Sequence, residues 1–152
     1  MENFNIYNPV RLFFGNHISE SLCPVLQTYG KRVLLVYGMG SVVKFGYYNQ
    51  IMKLLSDNGF VVTAYAGIKS NPVIEDVRAA VKLGKENNVD VILALGGGSV
   101  IDSAKIISLG LQSDIDPWNY MTWSVNPEKS TPLVTILTLA ATGTEMNAAA
   151  VV

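Results

Sequence analysis

The stretch that begins with Gly96–Gly98 has the residue types and spacing best suited to chemistry with an anion. It follows an apolar run at residues 89–94 and continues through Ser99 and Asp102 into an amphipathic segment. Glycines let the backbone turn sharply and approach a ligand without interference from a Cβ atom, and three in a row cost backbone entropy with no return in packing. The first turn of the following helix presents unpaired N–H groups and a partial positive charge. A phosphate or pyrophosphate suits this arrangement, so we predict a nucleotide site.

The composition limits the kinds of partner. The chain has 152 residues and a formal net charge of −1 without a basic block, which argues against a nucleic-acid partner. No run approaches the roughly 18 to 20 apolar residues of a membrane span, so we predict no membrane partner. The N-terminus is polar and acidic and does not resemble a secretory signal, so we expect a cytoplasmic protein. The single cysteine, Cys23, excludes an internal disulfide, and we expect it to be a packing residue on a helix.

The apolar content indicates how the domain is built. Hydrophobic residues make up 49% of the chain and the mean hydropathy is +0.30, above the average for a globular domain. Such content is typical of a parallel sheet that is buried on both faces. It also suits a surface that another copy covers, which favours a homo-oligomer. The length fits one domain, residues 1–152.

Strand-like and helix-like segments alternate along the chain. The predicted strands are residues 33–37, 60–66, 89–94 and 132–137; the predicted helices are residues 18–29, 46–58, 72–84 and 99–111, with an aromatic loop at residues 116–126. This alternation predicts an α/β domain with a doubly wound, mainly parallel sheet. In such sheets ligands bind beyond the carboxyl ends of the strands, where the loops that begin at residues 38, 96 and 138 converge.

Three local features complete the predicted fold. Phe4–Tyr7 and Arg11–Phe14 are predicted to form a short N-terminal β-hairpin, with an Asn-Pro turn between them. Asn71 is predicted to cap the third helix, with Pro72 as its first residue. Residues 148–152 form an apolar, β-prone run with nothing polar after it, so we expect the sequence to be truncated.

Four motifs, in order along the chain, resemble one protein family. Gly96–Asp102 and Thr138–Asn147 resemble segments of the N-terminal cofactor domain of the iron-containing (group III) alcohol dehydrogenases. Val36–Lys44 and the opening Phe4–Pro9, followed by Phe13–Gly15, are most similar to the branch that reduces butanal and other aldehydes with NADPH. The resemblance implies a Rossmann-like dinucleotide-binding domain, with the C-terminal helical domain absent from these residues. It also implies an oxidoreductase that interconverts primary alcohols, such as butanol, and aldehydes with NAD(P)(H).

The resemblance further implies roles for particular residues. The pyrophosphate would be held by Gly97, Gly98 and Ser99, with Asp102 facing the ribose and nicotinamide end. The nicotinamide-side ribose and the pyrophosphate would be lined by Thr138, Leu139 and Thr142. The adenosine ribose would be bordered by Gly38, Met39, Gly40 and Ser41, with Asn71 close to the same end. The family binds a divalent metal, typically iron, through an Asp-x-x-x-His pair and two later histidines. This chain has only His17, with Phe at position 13, so we predict neither a metal ligand nor a catalytic residue in it.

The residues themselves leave alternative roles open. Asp102 could serve only to complement the helix dipole or to pair with Lys105. Asn71 has a sufficient role as a helix cap, and Thr138, Thr142 and Thr144 could be turn residues that bond to local backbone, although their cluster at a strand end favours a functional role.

The cofactor and the function also have alternatives. The loop after Tyr37 has no carboxylate to repel a 2′-phosphate, and Ser41 and Lys44 could bind one, so we expect NADP, with NAD as the second choice. The alternative functions are a non-catalytic nucleotide-binding fragment and a polyol dehydrogenase similar to glycerol dehydrogenase.

Overall fold

The computed structural model describes residues 7–152. Within them, four parallel strands form one sheet in the order β2-β1-β3-β4. The strands are β1 (Arg32–Gly38), β2 (Val61–Ile68), β3 (Val91–Gly96) and β4 (Leu133–Leu137). The helices are α1 (Leu22–Gln27), α2 (Ser41–Lys44), α3 (Tyr47–Asp57), α4 (Ile74–Glu86), α5 (Gly98–Gly110) and α6 (Trp118–Met121), with 3₁₀ turns at Ile18–Ser21 and Thr144–Met146. The predicted parallel α/β fold is confirmed.

Helices cover both faces of the sheet because the central strands are apolar on both sides. Successive side chains of a strand point to opposite faces. Leu34 and Ile92 therefore belong to the core beneath α4 and α5, whereas Val33 and Leu93 belong to the core beneath α1 and α3. Every residue of β3 is buried. A sheet buried on two sides explains the high apolar content of the sequence.

The carboxyl ends of all four strands lie along one edge of the sheet. Gly38 at the end of β1 pairs with Ile68 on one side, and the preceding Tyr37 pairs with Leu95 on the other. At the far end, Gly96 of β3 pairs with Leu137 of β4. The connection from β1 to β2 crosses one face of the sheet, and the connection from β3 to β4 crosses the other face. Because β2 and β4 lie on opposite sides of the central pair, the strand order reverses between β1 and β3. Doubly wound sheets bind ligands in the crevice at such a reversal.

The predicted N-terminal hairpin is not found where the structure can test it. Residues 11–14 contain no strand, and Leu12 and Phe14 are 65% and 94% exposed. Most of the other predicted strand, residues 4–7, lies outside the described residues. A two-stranded hairpin is marginal unless it packs on another element, and the exposed side chains of Leu12 and Phe14 contribute little such packing.

The predicted role of Asn71 as a helix cap is wrong. Val73 occupies the cap position, with φ −125° and ψ 145°, and α4 begins at Ile74. The extended backbone of Val73 leaves Asn71 and Pro72 in the loop before the helix. Glu75 and Asp76 lie in the first turn of α4, where negative charge complements the helix dipole.

Two segments that were predicted as loops contain short helices. Ser41 is the first residue of α2, and residues 118–121 form α6. Conversely, the helix predicted at residues 18–29 begins as a 3₁₀ turn, and its α-helical part, α1, spans only residues 22–27. Pro24 has no N–H to continue the α-helical pattern toward the N-terminus. Cys23 is buried on α1, as expected. None of the helices in residues 7–152 combines the length and apolar character needed to cross a bilayer.

Candidate nucleotide-binding site

The glycine turn joins the end of β3 to the start of α5 at the reversal of strand order. Gly97 is the cap residue of α5, with φ −92° and ψ −166°, and its carbonyl accepts from the N–H groups of Val100 and Ile101 at 3.1 and 3.2 Å. The first N–H groups of an α-helix have no partner within the helix, so those of Gly98 and Ser99 are available to an anion.

Packing explains two of the three glycines, contrary to the expectation that they bring no return in packing. A Cβ at residue 96 would lie 2.6 Å from Val100 Cγ2, and a Cβ at residue 98 would lie 2.7 Å from Thr142 Oγ1. Only at Gly97 is the space ordinary, since its Cβ would lie 3.8 Å from Leu139 Cβ. Gly97 is therefore the one glycine of the three whose Cβ position is free of a tight protein contact.

The segment after β4 folds onto the glycine turn. The N–H of Thr138 donates to the carbonyl of Gly96 at 2.9 Å and extends the pairing of β3 with β4 by one residue. Leu139 then lies beside Gly97, and Thr142 lies against Gly98. The structure thus brings together five of the residues predicted for the pyrophosphate end.

Ser99 connects the turn to the loop after β2. Its hydroxyl donates to the carbonyl of Ser70 at 2.6 Å, so the side chain is already engaged by the protein. Asn71, the next residue in that loop, is exposed at the same edge of the sheet.

Asp102 is held by the segment that follows the threonine loop. Thr144 Oγ1 donates to Asp102 Oδ1 at 2.5 Å, and the N–H of Val151 donates to Oδ2 at 3.1 Å. Lys105 Nζ lies 4.0 Å from Asp102 Oδ1, the ion pair that the i,i+3 spacing allowed. The carboxylate therefore has structural partners on both oxygens, in addition to any contact with a ribose.

The loop after β1 forms the other side of the crevice. A Cβ at Gly38 would make ordinary contacts, 3.4 Å to the carbonyl oxygen of Ile68 and 3.6 Å to Val100 Cγ2. Gly40 has φ 142°, a conformation that favours glycine, and the side chain of Met39 is 75% exposed. Ser41 and Lys44 are exposed on α2. Under this loop, burial raises the pKa of the Tyr37 hydroxyl, whose ring packs on Tyr48 with centroids 4.9 Å apart.

Sequence reasoning did not find the contacts by which Ser70, Lys105 and Thr144 shape this edge. The Ser70 carbonyl accepts from Ser99, and the Thr144 hydroxyl donates to Asp102, so both residues tie a neighbouring loop to α5. Lys105 donates to several atoms beyond β4. The signals in the sequence were the spacing between Asp102 and Lys105 and the cluster of threonines after β4, which includes Thr144. The contacts of Ser70 and Thr144 join positions 29 and 42 residues apart, which no local pattern reveals.

The described residues do not provide a metal site. Residues 7–152 contain no group of three His, Cys, Asp or Glu side chains that could hold a metal ion. The side chain of His17 is 84% exposed and lies only near Glu20, at 3.8 Å. These residues therefore do not fit the metal that the resemblance implies.

The fold and the site define the class. A parallel sheet wound in both directions, with a glycine turn and a helix start at its switch point, is the Rossmann-like arrangement that binds dinucleotides in many proteins. The family model described as iron-containing alcohol dehydrogenase matches residues 9–152. The chain belongs to the iron-containing alcohol dehydrogenase family.

Individual relatives agree with this assignment. The chain is 45% identical to a probable NADH-dependent butanol dehydrogenase 1 of Bacillus subtilis, over 100% of this chain and 39% of that protein. It is 40% identical to the NADPH-dependent aldehyde reductase YqhD of Escherichia coli, again over 100% of this chain and 39% of that protein. The crystal structure of NADH-dependent butanol dehydrogenase A from Thermotoga maritima matches with a TM-score of 0.91 and 38% identity, over 97% of this chain and 37% of that one. The chain spans about two fifths of the length of these relatives.

Proposed function

We propose that this chain is the nucleotide-binding part of an alcohol dehydrogenase that interconverts primary alcohols and aldehydes with a nicotinamide dinucleotide. The observation that carries the proposal is the glycine turn that starts α5 at the switch point, where the first N–H groups have no partner within the helix and the loop after β4 is folded against the turn. The similarity to butanol dehydrogenases and to an aldehyde reductase supports the substrate class.

The residues of the chain would bind and orient the nucleotide. The N–H groups of Gly98 and Ser99, at the positive end of the 13-residue helix α5, are directed at a pyrophosphate. Leu139 and Thr142 would enclose it from the side of β4, and the Gly38–Ser41 loop would border the adenosine ribose. When bound, the nicotinamide ring supplies a hydride or accepts one. Because residues 7–152 contain no set of metal ligands, we assign no catalytic residue to them.

Nucleotide titration tests the binding proposal. The purified protein is titrated with NADPH and with NADH while the fluorescence of the reduced nicotinamide and the melting temperature are recorded. We expect saturable binding and a rise in Tm with nucleotide concentration, as for any ligand that binds only the folded state. Unchanged fluorescence and Tm with both nucleotides, at millimolar concentration, would refute the proposal. The 152 residues by themselves are expected to bind nucleotide without oxidising alcohol, and measurable turnover by them would contradict that assignment.

We propose NADP as the preferred nucleotide, with NAD as the second candidate. The named relatives include NADH-dependent and NADPH-dependent enzymes, so the argument comes from the loop after β1. Residues 38–44 have no carboxylate, and the exposed Ser41 and Lys44 supply a hydroxyl and a cation toward a 2′-phosphate. The cytoplasmic location, the lack of a membrane partner and self-association predicted from the sequence stay predictions.

Replacing Gly38 with Asp tests the cofactor preference. The backbone of Gly38 is outside the left-handed region, and its Cβ would make only ordinary contacts, so the fold accepts the change. A carboxylate near the ribose would repel a 2′-phosphate and accept from a 2′-hydroxyl. At roughly 5 Å and an effective dielectric constant of about 20, this repulsion is about 3 kcal/mol before solvent screening. We therefore expect the NADPH:NADH affinity ratio to fall about tenfold to a hundredfold; Gly38→Ala is the matched control, and an unchanged ratio in Gly38→Asp contradicts the argument.

A further inference from the structure

Lys105 lies on α5, about two turns after the glycine turn, and its ammonium group is directed at the chain beyond β4. It donates to Thr144 Oγ1 at 2.6 Å, to Asn147 Oδ1 at 3.2 Å and to the carbonyl of Ala149 at 2.5 Å. The side chain is only 15% exposed. An ammonium group has three donors, and all three are used on one segment of six residues.

The same segment is held a second time through Asp102. Thr144 accepts from Lys105 and donates to Asp102, so its hydroxyl joins the two charges of α5. The other oxygen of Asp102 accepts from the N–H of Val151. Residues 144–151 are therefore fixed to α5 by the Lys105–Asp102 pair.

This segment directly continues the loop that borders the glycine turn. Gly143 has φ 66° and turns the chain from Thr142, which lies against Gly98, into Thr144. The position of Thr142 therefore depends on an anchor only two residues away. Thr142 itself is exposed, so the buried Thr144 restrains it together with the contact at Gly98 and the pairing of β4 with β3.

Burial makes the anchor sensitive to the charge of Lys105. Removal from water lowers the pKa of Lys105, while the carboxylates of Asp102 and Glu145 act in the opposite direction. A neutral amine has one donor fewer and no charge, so deprotonation weakens the contacts to residues 144–149.

We propose that Lys105 is a positioning residue of the nucleotide site, which acts through Thr144 to hold Thr142 and Leu139 in place beside Gly97 and Gly98. This inference rests on the proposed function, since it assigns a part in nucleotide binding to a side chain that need not touch the nucleotide. Its effect on affinity arises from preorganisation of the loop before the nucleotide binds.

The test compares two lysine variants of the protein. Lys105→Met removes the anchor, and Lys85→Met is the matched control, because Lys85 also donates to a loop, through the Ser113 carbonyl and Asp114, but at the opposite edge of the sheet. Both variants are expected to have a lower Tm. The Kd for NADPH is expected to rise about tenfold or more in Lys105→Met, comparable to losing one hydrogen bond to a charged group, and less than twofold in Lys85→Met.

The pH dependence gives a readout that a general loss of stability does not change. For the wild type, NADPH affinity is expected to weaken at alkaline pH, from a pH below the ordinary pKa of a lysine, as Lys105 loses its proton. That dependence is expected to be missing in Lys105→Met and present in Lys85→Met. An identical alkaline profile in wild type and Lys105→Met overturns the proposal.

The remaining outcomes separate this inference from the proposed function. If the wild type binds neither NADPH nor NADH, the proposed function fails and the inference with it. If the wild type binds and Lys105→Met binds equally well, only the positioning role fails. If Lys105→Met does not fold, Thr144→Val decides, since it keeps the shape of Thr144 and removes the shared hydroxyl: weakened binding supports the role, and unchanged binding overturns it.

Discussion

Gly98→Ala tests whether the contact between α5 and the loop after β4 shapes the site. A Cβ at residue 98 would lie 2.7 Å from Thr142 Oγ1 and 3.2 Å from Thr142 Cγ2. Ordinary Cβ contacts begin at 3.4 Å, so Thr142 has to retreat by about 0.7 Å. Overpacking typically costs about 1–3 kcal/mol, and an exposed loop can yield, so we expect about 1 kcal/mol. For a domain of this length that corresponds to a decrease in Tm of about 2–4 °C.

The assay is a double-mutant cycle followed by thermal denaturation. Thr142→Ala removes Oγ1 and Cγ2, the two atoms of residue 142 closest to a Cβ at residue 98. The Cβ that remains at residue 142 would lie 3.5 Å from the Cβ at residue 98, an ordinary contact. The loss of stability caused by Gly98→Ala is therefore expected to disappear when residue 142 is alanine, giving a coupling of at least about 0.5 kcal/mol. Gly97→Ala is the matched control, since its Cβ would lie 3.8 Å from Leu139 Cβ, and its stability is expected to stay within about 0.5 kcal/mol of the wild type.

An additive result would refute the steric reasoning. If Gly98→Ala lowers the Tm by the same amount with threonine and with alanine at residue 142, the close approach of these residues is not what requires glycine. A large loss of stability in Gly97→Ala would contradict the distinction between the two glycines. Because all variants are compared with nucleotide absent, neither result depends on the proposed function.

Two further substitutions test other parts of the fold. Asn71→Ala is expected to change the free energy of unfolding by less than about 0.5 kcal/mol, because α4 begins after Val73. Loss of a residue that caps a helix costs about 1 kcal/mol, and urea denaturation distinguishes the two values. Asp90 accepts from the Arg32 guanidinium at 2.7 Å and from the N–H groups of Lys31 and Arg32, contacts that hold the pKa of its carboxyl below the ordinary value. The contribution of these contacts to the stability of the folded state is therefore present above about pH 4 and is lost as the pH falls through the lowered pKa. Asp90→Asn is expected to lower the Tm by several degrees at pH 7 and by progressively less in acid. Asp57→Asn, which breaks the exposed pair with Lys53, is the control and is expected to change the Tm little at either pH; a pH-independent effect of Asp90→Asn would contradict the ion-pair argument.

The sequence was sufficient for the elements of the sheet and for the position of the glycine turn. All four strands predicted for the parallel sheet are present, although the N-terminal strand predicted at residues 11–14 is not, and the strand that precedes Gly97 ends within two residues of its predicted end. These features are local: apolar runs make strands, amphipathic runs make helices, and a residue without a Cβ marks a sharp turn. A local signal was misleading at Asn71, because the extended backbone of Val73 starts the helix at Ile74, two residues after the start that an Asn71 cap requires.

The tertiary structure decided which residues meet at the site and why. Gly96 and Gly98 are required by Val100 and Thr142, and the charges of Lys105 and Asp102 are satisfied by residues some 40 positions later in the chain. The position of Thr142 depends on both the pairing of β4 with β3 and the contacts of Thr144 with α5. Such contacts join segments that are distant along the chain, and their distances exist only after the sheet has closed. Local preferences in a sequence carry no record of those distances, so they identified the turn but not the side chains that support it.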